Sequence, residues 1–294
     1  MAEMQTTIGG YKLRSLLQTG AVSQVYEVVE PTSHRHFAMK VLLPEHADKK
    51  DVRGVLFHEA DVGIKMRHEN VINILKVSKD EHTPHFIMEY FPSGSLRTRL
   101  ISRDPKDKEF IKVNSRKIFK QMATGLAYMN ASGYVHCDVK ADNVLVNALG
   151  QTKIIDFAIT KKIKKGFFEK LFHRKGKPQG TPSFMSPEQI RDEMLDGRAD
   201  IYSFAATWYE LTTGRPPFRA TSQTELLRKH LGEKPAPLVA YNDDVTEEFS
   251  KFILAMLEKK KENRPENFHK ILMDMKKIRI FKSIADEADE DPNY

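Results

Sequence analysis

The sequence predicts an α+β fold of two lobes: a small antiparallel β lobe with one helix, followed by a larger lobe that is mainly α-helical. In the first third of the chain, β-rich segments alternate with short turn sequences. From Asn114 onward, apolar residues recur every three or four positions, which is the spacing of amphipathic helices. Pro92-Ser93-Gly94, between the two patterns, is a candidate hinge.

The small lobe is predicted to be an antiparallel meander, because turn sequences at 19–21 and 31–33 separate its first three strands. Two glycines, Gly54 and Gly63, weaken the one predicted helix. The predicted strands are Tyr11 to Gln18, Val25 to Glu30, His36 to Leu43, Val71 to Ser78 and Phe86 to Phe91, and the helix is Val52 to Met66.

Helices dominate the prediction for the large lobe. The first is centred on Ile118 to Met129 and ends at Gly133, and a second is closed by Gly214. The second helix is Asp200 to Thr213, and the other predicted helices are Ser222 to Leu231, Glu247 to Glu258 and Asn267 to Ile278.

The length of the chain, 294 residues with 40% apolar content, allows a full hydrophobic core. We divide the chain into an extension at 1–10, the small lobe at 11–91, the large lobe at 92–280 and a tail at 281–294. The tail carries five acidic residues and no apolar face, so we expect it to be disordered.

Several classes of protein are excluded by composition. No run of about 18 apolar residues is present, so no membrane segment is expected in this chain. The first seven residues lack the basic and apolar regions of a secretory signal. Cys137 is the only cysteine, which excludes an intrachain disulfide and fits a reducing compartment. We therefore expect a cytoplasmic protein.

Positive charge is concentrated in one segment, 161–177, where eight basic residues and one acidic residue give +7, the same as the formal net charge of the chain. Such a run is either a solvated loop or a surface for an anionic partner or substrate. Nucleic acid is not expected as the partner, because no stacking aromatic pattern or recognition helix accompanies the charge.

The residues most informative about chemistry lie in the run Tyr-Val-His-Cys-Asp-Val-Lys-Ala-Asp-Asn, which begins at position 134, and in Ile-Ile-Asp-Phe, which begins at 154. An apolar strand is predicted to end in Asp156, which offers a metal-binding carboxylate. In the earlier run, Asp138 can orient a hydroxyl nucleophile, Lys140 can neutralise phosphate charge, and Asn143 can give a second metal contact. These motifs resemble those of the protein kinases, and Lys140 resembles the serine/threonine branch.

The resemblance covers about residues 9 to 280 and implies ATP as the phosphoryl donor. Lys40, after Phe-Ala-Met, resembles the lysine that contacts the phosphates, and Glu59 resembles its ion-pair partner. Asn143 and Asp156 would hold magnesium, or manganese in its place. The nucleotide-binding residues that the resemblance implies are Leu17, Gly20, Ser23, Val25, Ala38, Met88, Glu89, Phe91 and Leu145, with Met88 at the inner pocket and backbone groups of Glu89 to Phe91 at the adenine edge.

The segment from Gly180 to Glu188 resembles the one that receives a peptide substrate, with Arg264 as the buried partner of Glu188. Asp200 resembles a helix-cap aspartate that anchors the catalytic loop. The sequence Ser-Pro-Glu-Gln at 186–189 is similar to bacterial members of the family. The resemblance therefore implies a protein substrate, and the basic segment together with Ser95 favours an acidic one. Glu210 argues the other way, because a carboxylate there commonly meets a substrate arginine.

Four features, at five positions, depart from the pattern of the family. Gln18 and Ser23 replace glycines in the nucleotide-covering loop, where only Gly20 remains, so we expect a stiffer loop and weaker nucleotide binding. Ala158 replaces a glycine and would cost about 1–2 kcal/mol if that position needs positive φ. Gly63 replaces an apolar side chain, so the helix bearing Glu59 should be less firmly held.

The fourth departure is Cys137, which replaces an arginine that pairs with a phosphate on the activation segment. No Ser, Thr or Tyr lies between 161 and 179. We therefore expect activation that does not depend on phosphorylation of that segment, and we expect Cys137 to be an inert buried thiol.

An active serine/threonine kinase is the first interpretation, because all the residues with roles in metal, phosphate and hydroxyl handling are present. The alternative is a pseudokinase that binds nucleotide weakly and acts as an interaction module, which the altered loop, Ala158 and Gly63 favour. A small-molecule phosphotransferase is disfavoured by the peptide-receiving segment from Gly180 to Glu188. Oligomeric state, activator and substrate identity stay open.

Overall fold

The computed structural model describes residues 7–80, 82–163 and 179–284. The small lobe is a six-stranded antiparallel sheet. Its strands are β1 (Thr7–Ile8), β2 (Tyr11–Thr19), β3 (Ser23–Val29), β4 (His36–Leu42), β5 (Ile74–Ser78) and β6 (His85–Glu89). They lie in the order β1-β2-β3-β4-β6-β5, so the predicted meander is extended by a pair in which β6 lies inside β5.

Strand β4 shows how the sheet separates its two faces. Phe37, Met39 and Val41 pack into a small apolar core on one side of the sheet. Ala38 and Lys40 alternate with them, and both line a cavity on the opposite side. The period of two in this strand therefore determines which residues reach the space between the lobes.

The helix of the small lobe, α1 (Lys50–Gly63), ends three residues earlier than predicted. Strand β5 likewise begins three residues later than predicted, at Ile74. The intervening backbone pairs with the large lobe instead: Ile72 N donates to Ile154 O at 2.9 Å, and Val71 forms a parallel bridge with Ile154. This segment joins the two lobes, which a period-based prediction cannot detect.

The large lobe is helical, with α6 (Gly197–Thr213) at its centre. Between Ala199 and Thr212, every residue of α6 is buried, as expected of a helix surrounded by other helices. It ends at Gly214, whose φ of 72° closes the helix in the left-handed conformation. The other helices of the large lobe are α2 (Leu96–Ile101), α3 (Pro105–Val113), α4 (Ser115–Ala131), α5 (Pro187–Ile190), α7 (Gln223–Gly232), α8 (Glu247–Met256) and α9 (Phe268–Met275).

Short strands and 3-10 turns position the loops of the large lobe. Only the strand before Asp156 was predicted, and it ends two residues earlier, at Ile154; the others are too short to show a period. The helices α2, α3 and α5 were not predicted either. The short strands are β7 (Gly94–Ser95), β8 (Tyr134–Val135), β9 (Val144–Val146), β10 (Thr152–Ile154) and β11 (Lys161–Lys162), and a 3-10 turn at Ala141–Asn143 precedes β9.

The acidic tail was predicted to be disordered. Its residues from 285 onward lie outside the described part of the chain. The same is true of 164–178, which is most of the basic segment. Among the helices that are described, none combines the length and the apolar character needed to cross a membrane.

Candidate active site

A cavity of about 470 Å³ opens between the two lobes. In this cavity, the predicted site residues on β2, β3, β4 and α1 meet the predicted site residues on the strands and loops of the large lobe. The predicted residues that line it are Leu17, Gly20, Ser23, Val25, Ala38, Lys40, Glu59, Met88, Glu89, Phe91, Asn143, Leu145 and Asp156.

Lys40 and Glu59 form an ion pair inside the cavity. Lys40 Nζ donates to Glu59 Oε2 at 2.6 Å and to Oε1 at 2.9 Å, and the glutamate side chain is only 5% exposed. Burial alone would lower the pKa of Lys40, but the carboxylates of Glu59 and Asp156 outweigh it and hold that pKa above the usual range. The ammonium therefore stays charged, next to the wall of the cavity formed by Asp156.

Asp138 and Lys140 do not line the cavity but lie in the adjoining loop. Lys140 Nζ lies 2.7 Å from Asp138 Oδ2. Burial would raise the pKa of Asp138, but hydrogen bonds from Lys140 and Thr181 outweigh it and lower that pKa. Asp138 is therefore ionised at neutral pH and can accept further hydrogen bonds.

Thr181 is a member of this site that the sequence analysis missed. Its backbone N–H and its hydroxyl both donate to Asp138 Oδ1, at 3.0 and 2.8 Å. Lys140 Nζ donates to the same hydroxyl at 2.6 Å. The position of Thr181 directly after Gly180, at the start of the peptide-receiving segment, was the signal that could have identified it.

His136 connects the catalytic loop to the strand that leads to Asp156. Its Nε2 donates to Ile155 O at 3.0 Å, while its Nδ1 accepts from Asp138 N at 3.2 Å. Asn143 O accepts from Ile155 N at 3.0 Å. These bonds fix Asn143 beside the backbone of the residue that precedes Asp156, so both predicted metal contacts face the same cavity.

The donor set at this position fits a divalent cation that binds together with phosphate. Asn143 Nδ2 is engaged by Asp138, at 2.9 Å to its backbone O and 3.0 Å to Oδ2, which leaves the amide oxygen for a metal. Asp156 adds a carboxylate. No cluster of three or more His, Cys, Asp or Glu side chains suited to a metal occurs in the described residues, and magnesium typically needs only one or two carboxylates besides phosphate and water.

Asp200 anchors the catalytic loop, as predicted, although it is not the helix cap. Its Oδ2 accepts from His136 N at 2.9 Å and its Oδ1 from Cys137 N at 3.0 Å. The N-cap of α6 is Asp196, whose side chain accepts from Arg198 N. Asp200 lies one turn inside the helix, from where its carboxylate reaches the loop.

Cys137 is held in a left-handed conformation, with φ of 70°. Its side chain is 3% exposed, and burial raises the pKa of its thiol. Its carbonyl accepts from Gln189 Nε2 at 2.7 Å, which ties the loop to α5. The prediction of an inert buried thiol agrees with this environment.

One backbone group in the predicted adenine edge, the N–H of Glu89, has a partner within the protein. Glu89 N donates to Asn73 O at 2.9 Å, so this N–H is already used within the protein. The Glu89 side chain accepts from Asn73 N and from Lys153 Nζ. The Glu89 N–H is therefore not available to an adenine.

The expectation that Gly63 leaves α1 loosely held is wrong. A Cβ atom built on Gly63 would lie 2.3 Å from Ile74 Cδ1 and 3.0 Å from Phe157 Cδ2. The space that a larger residue would fill is thus occupied by Ile74 of β5. The glycine allows α1 to pack directly against that strand, and the Lys40–Glu59 pair is formed.

Ala158 was expected to cost free energy only if its position needed a positive φ. Ala158 is not among the non-glycine residues with positive φ, so this cost does not arise. Asp156 is, with φ of 69°, and its Oδ1 accepts from Ala158 N at 3.2 Å. The alanine therefore carries no left-handed strain. In the nucleotide-covering loop, Gly20 N donates to Ser23 O at 2.8 Å, which closes a tight turn over the cavity.

The peptide-receiving segment ends in the expected ion pair. Arg264 Nη1 and Nη2 donate to Glu188 Oε1 and Oε2 at 2.7 and 2.9 Å, with the side chains 0% and 3% exposed. Such a bidentate pair in a dry environment fixes geometry strongly. It holds the end of the segment against the core of the large lobe.

The two-lobed fold, with a cavity between the lobes, defines the class of protein as one with the fold of the protein kinase domain. Residues 11–275 match the protein kinase domain family. The chain is 30% identical over 92% of its length to a probable serine/threonine-protein kinase of Clostridium acetobutylicum, and it covers 40% of that protein. It is 26% identical, over 94% and 95% of its length, to a probable serine/threonine-protein kinase of Streptomyces coelicolor and to the serine/threonine-protein kinase PknB of Mycobacterium leprae, covering 41% and 44% of them.

The chain therefore belongs to the protein kinase domain family. It spans less than half the length of these curated relatives, from 40% to 44%. The relatives are named as serine/threonine kinases, in agreement with the branch that Lys140 indicated.

Proposed function

We propose that the protein transfers the γ-phosphoryl group of ATP to a serine or threonine hydroxyl of a protein. The observation that carries this proposal is that Lys40 and Glu59 form an ion pair in the same cavity as Asn143 and Asp156. Nucleotide binding alone does not require an ionised Asp138, whereas transfer to a hydroxyl does. Two of the features that favoured the pseudokinase, Gly63 and Ala158, have structural explanations that do not weaken the site.

Each residue has a chemical role in this proposal. Lys40 would bind oxygens of the α- and β-phosphates, while Asn143 and Asp156 would hold magnesium, or manganese in its place. When bound, the metal neutralises phosphate charge. Asp138 would accept a hydrogen bond from the substrate hydroxyl and take its proton as the oxygen–phosphorus bond forms and the bond to ADP breaks. Lys140 stabilises charge on the transferred group.

The test of this function is incubation of the full chain with ATP, magnesium and a peptide library, followed by mass mapping of phosphorylated residues. Phosphoserine or phosphothreonine formed by the wild type and absent with Asp138→Asn supports the proposal. Nucleotide binding without any transfer would instead support the pseudokinase, for which the altered loop at Gln18 and Ser23 is the remaining argument.

We propose further that activation does not depend on phosphorylation of the 161–179 stretch. Cys137 is buried and cannot pair with a phosphate. A different contact ties α1 to the start of the activation segment: His58 Nε2 donates to Thr160 O at 2.8 Å. Since His58 adjoins Glu59, this bond supports the ion pair without any added phosphate.

Phosphatase-treated protein should consequently start turnover without a lag. The measurement is a progress curve with and without prior phosphatase treatment. A lag that disappears when Thr160, Thr181 or Ser183 becomes phosphorylated would contradict this proposal.

The substrate is proposed to be an acidic protein, because of the excess of positive charge between 161 and 177. A cytoplasmic location is proposed on the ground that the only cysteine of the chain, Cys137, is unpaired and buried.

A further inference from the structure

Arg97, near the start of α2, joins two carboxylates of the large lobe. Its Nη1 and Nη2 donate to Glu210 Oε1 and Oε2 at 2.9 and 2.7 Å, and its Nε donates to Asp142 Oδ2 at 3.1 Å. Glu210 is 10% exposed and the arginine 22%. The bidentate geometry and the partial burial make this a strong pair rather than a solvated surface contact.

The three-residue cluster adjoins the cavity between the lobes through Asp142. Asp142 belongs to the 3-10 turn Ala141–Asn143 and lines the cavity, next in sequence to the predicted metal contact Asn143. Ser95 and Thr98, on either side of Arg97 at the start of α2, also line the cavity. Glu210 reaches the cluster from α6. A peptide that brings its hydroxyl to Asp138 therefore approaches this cluster.

Two carboxylates at such a position would be a binding site for a guanidinium group of a substrate. Here the chain's own guanidinium already satisfies them. A substrate arginine could gain only the bonds that Arg97 loses, and Arg97 has the advantage of being attached to the same molecule. The negative charge of Glu210 is thus unavailable to a substrate. Glu210 therefore no longer argues for a preference for basic peptides.

We propose that Arg97 is a specificity-determining residue: it binds the carboxylates of Glu210 and Asp142 and so prevents a substrate arginine from binding them. The inference rests on the proposed kinase function and adds to it the class of substrate that is not preferred. In specificity of this kind, a group of the protein itself occupies the site and disfavours one class of substrate. No new attractive contact to the preferred substrate is needed.

The test uses a parent peptide with one serine or threonine acceptor and a set in which arginine replaces alanine at each position up to five residues on either side. For the wild type, kcat/KM for each arginine peptide should stay within about threefold of the parent. In Arg97→Ala, kcat/KM should rise about tenfold or more for arginine in at least one position, which is the ratio expected of one charge-assisted hydrogen-bonded contact.

Arg99→Ala is the matched control. Arg99 lies on the same helix but pairs with Asp107 at 2.8 Å and stacks over the Phe110 ring at 3.8 Å. This variant should show no gain for any arginine peptide. The double variant Arg97→Ala with Glu210→Gln should lose most of the gain, because Glu210, which receives two of the three hydrogen bonds from Arg97, is neutral.

Peptide binding gives a readout that does not depend on turnover. Measured by fluorescence anisotropy in an Asp138→Asn background, Arg97→Ala should bind the best arginine peptide about tenfold more tightly than the parent peptide. Arg97→Gln, which keeps the length of the side chain, replaces Arg97→Ala if the latter fails to unfold cooperatively on heating.

Three results would overturn the inference: a wild-type preference for arginine above about tenfold, a folded Arg97 variant with no gain in either readout, or a gain that persists with Glu210→Gln. Absence of phosphoryl transfer by the wild type to any peptide would overturn the proposed function instead, while the binding comparison would still decide the role of Arg97.

Discussion

Thr181 Oγ1 lies between two charged groups, donating to Asp138 and accepting from Lys140. A hydroxyl has one proton and two acceptor positions, so it can serve both groups at once. It therefore fixes the distance between the carboxylate that would take the proton and the ammonium that would neutralise phosphate. A phosphate on this oxygen would place negative charge against Asp138.

Thr181→Val should lower kcat about tenfold or more, because Asp138 and Lys140 lose a shared partner in a partly buried site. Nucleotide affinity should change little, since Thr181 does not line the cavity. Thr181→Ser, which keeps the hydroxyl, is the control and should retain most of the activity. Steady-state kinetics on the three proteins would show this, and an equal kcat for the valine variant would contradict it.

The left-handed residues Cys137 and Asp156 show what the sequence could not predict at this scale. Their φ values of 70° and 69° are unusual for residues other than glycine. Cys137 is held by distant elements, since its N–H donates to Asp200 and its carbonyl accepts from Gln189, whereas Asp156 accepts a local hydrogen bond from Ala158 N. The motif identified the residues, but tertiary contacts impose the conformation of Cys137.

At the scale of elements, the docking of α1 against β5 keeps Glu59 in place. Gly63 lies where the helix and the strand come closest, with Ile74 and Phe157 on the other side of the contact. The glycine is required by close approach and not by an unusual backbone angle.

Gly63→Ala should destabilise the protein by about 1–3 kcal/mol, because the added methyl group overlaps Ile74 in a packed core. It should also weaken ATP binding through displacement of Glu59. Gly54→Ala is the matched control: it lies on the same helix with open space around the added methyl group, so it should stabilise by about 0.5–1 kcal/mol. Urea denaturation of both variants distinguishes the two effects, and a neutral Gly63→Ala would contradict the packing argument.

His230, on α7, is fully buried against α6, with Nδ1 at 2.9 Å from the Tyr202 hydroxyl. Burial, aided by the charge of Lys259, lowers its pKa to about 3. The unfolded chain binds a proton there at a pKa of about 6.5. Between these two values the unfolded state holds more protons than the native state, so stability falls as pH decreases below about 6.5.

His230→Gln should remove this contribution. Between pH 7.5 and pH 5.5, the free energy of unfolding of the wild type should fall by about 1 kcal/mol more than that of the variant. His269→Gln, at an exposed position on α9, is the control and should behave as the wild type. Urea midpoints at the two pH values provide the measurement, and parallel changes in all three proteins would contradict the prediction.

At the scale of the whole molecule, the sequence predicted the fold class, the order of the lobes and the long periodic elements such as α4 and α6. It did not predict how β5 and β6 are arranged in the sheet, because strand order depends on long-range pairing. It also missed the segment around Ile72 that pairs with β10, since backbone bonds between lobes leave no pattern in local composition.

The predicted residues that line the cavity were identified through motifs with fixed chemistry, and the structure brings them together from elements of both lobes. Thr181 and Arg97 were not identified, because their partners are distant in the chain: Asp138 for the first and Glu210 for the second. Residues whose function depends on such pairs become visible only in three dimensions.

The central claim is that Asp138 acts on the substrate hydroxyl while Asp156 acts on the metal and nucleotide. The most direct test compares Asp138→Asn and Asp156→Asn by calorimetric binding of ATP with magnesium and by single-turnover transfer. Both variants should lose transfer by about a thousandfold or more, which is the scale of removing an essential group. Only Asp156→Asn should lose magnesium-dependent binding, whereas Asp138→Asn should bind within about threefold of the wild type. Equal turnover in all three proteins would contradict the account.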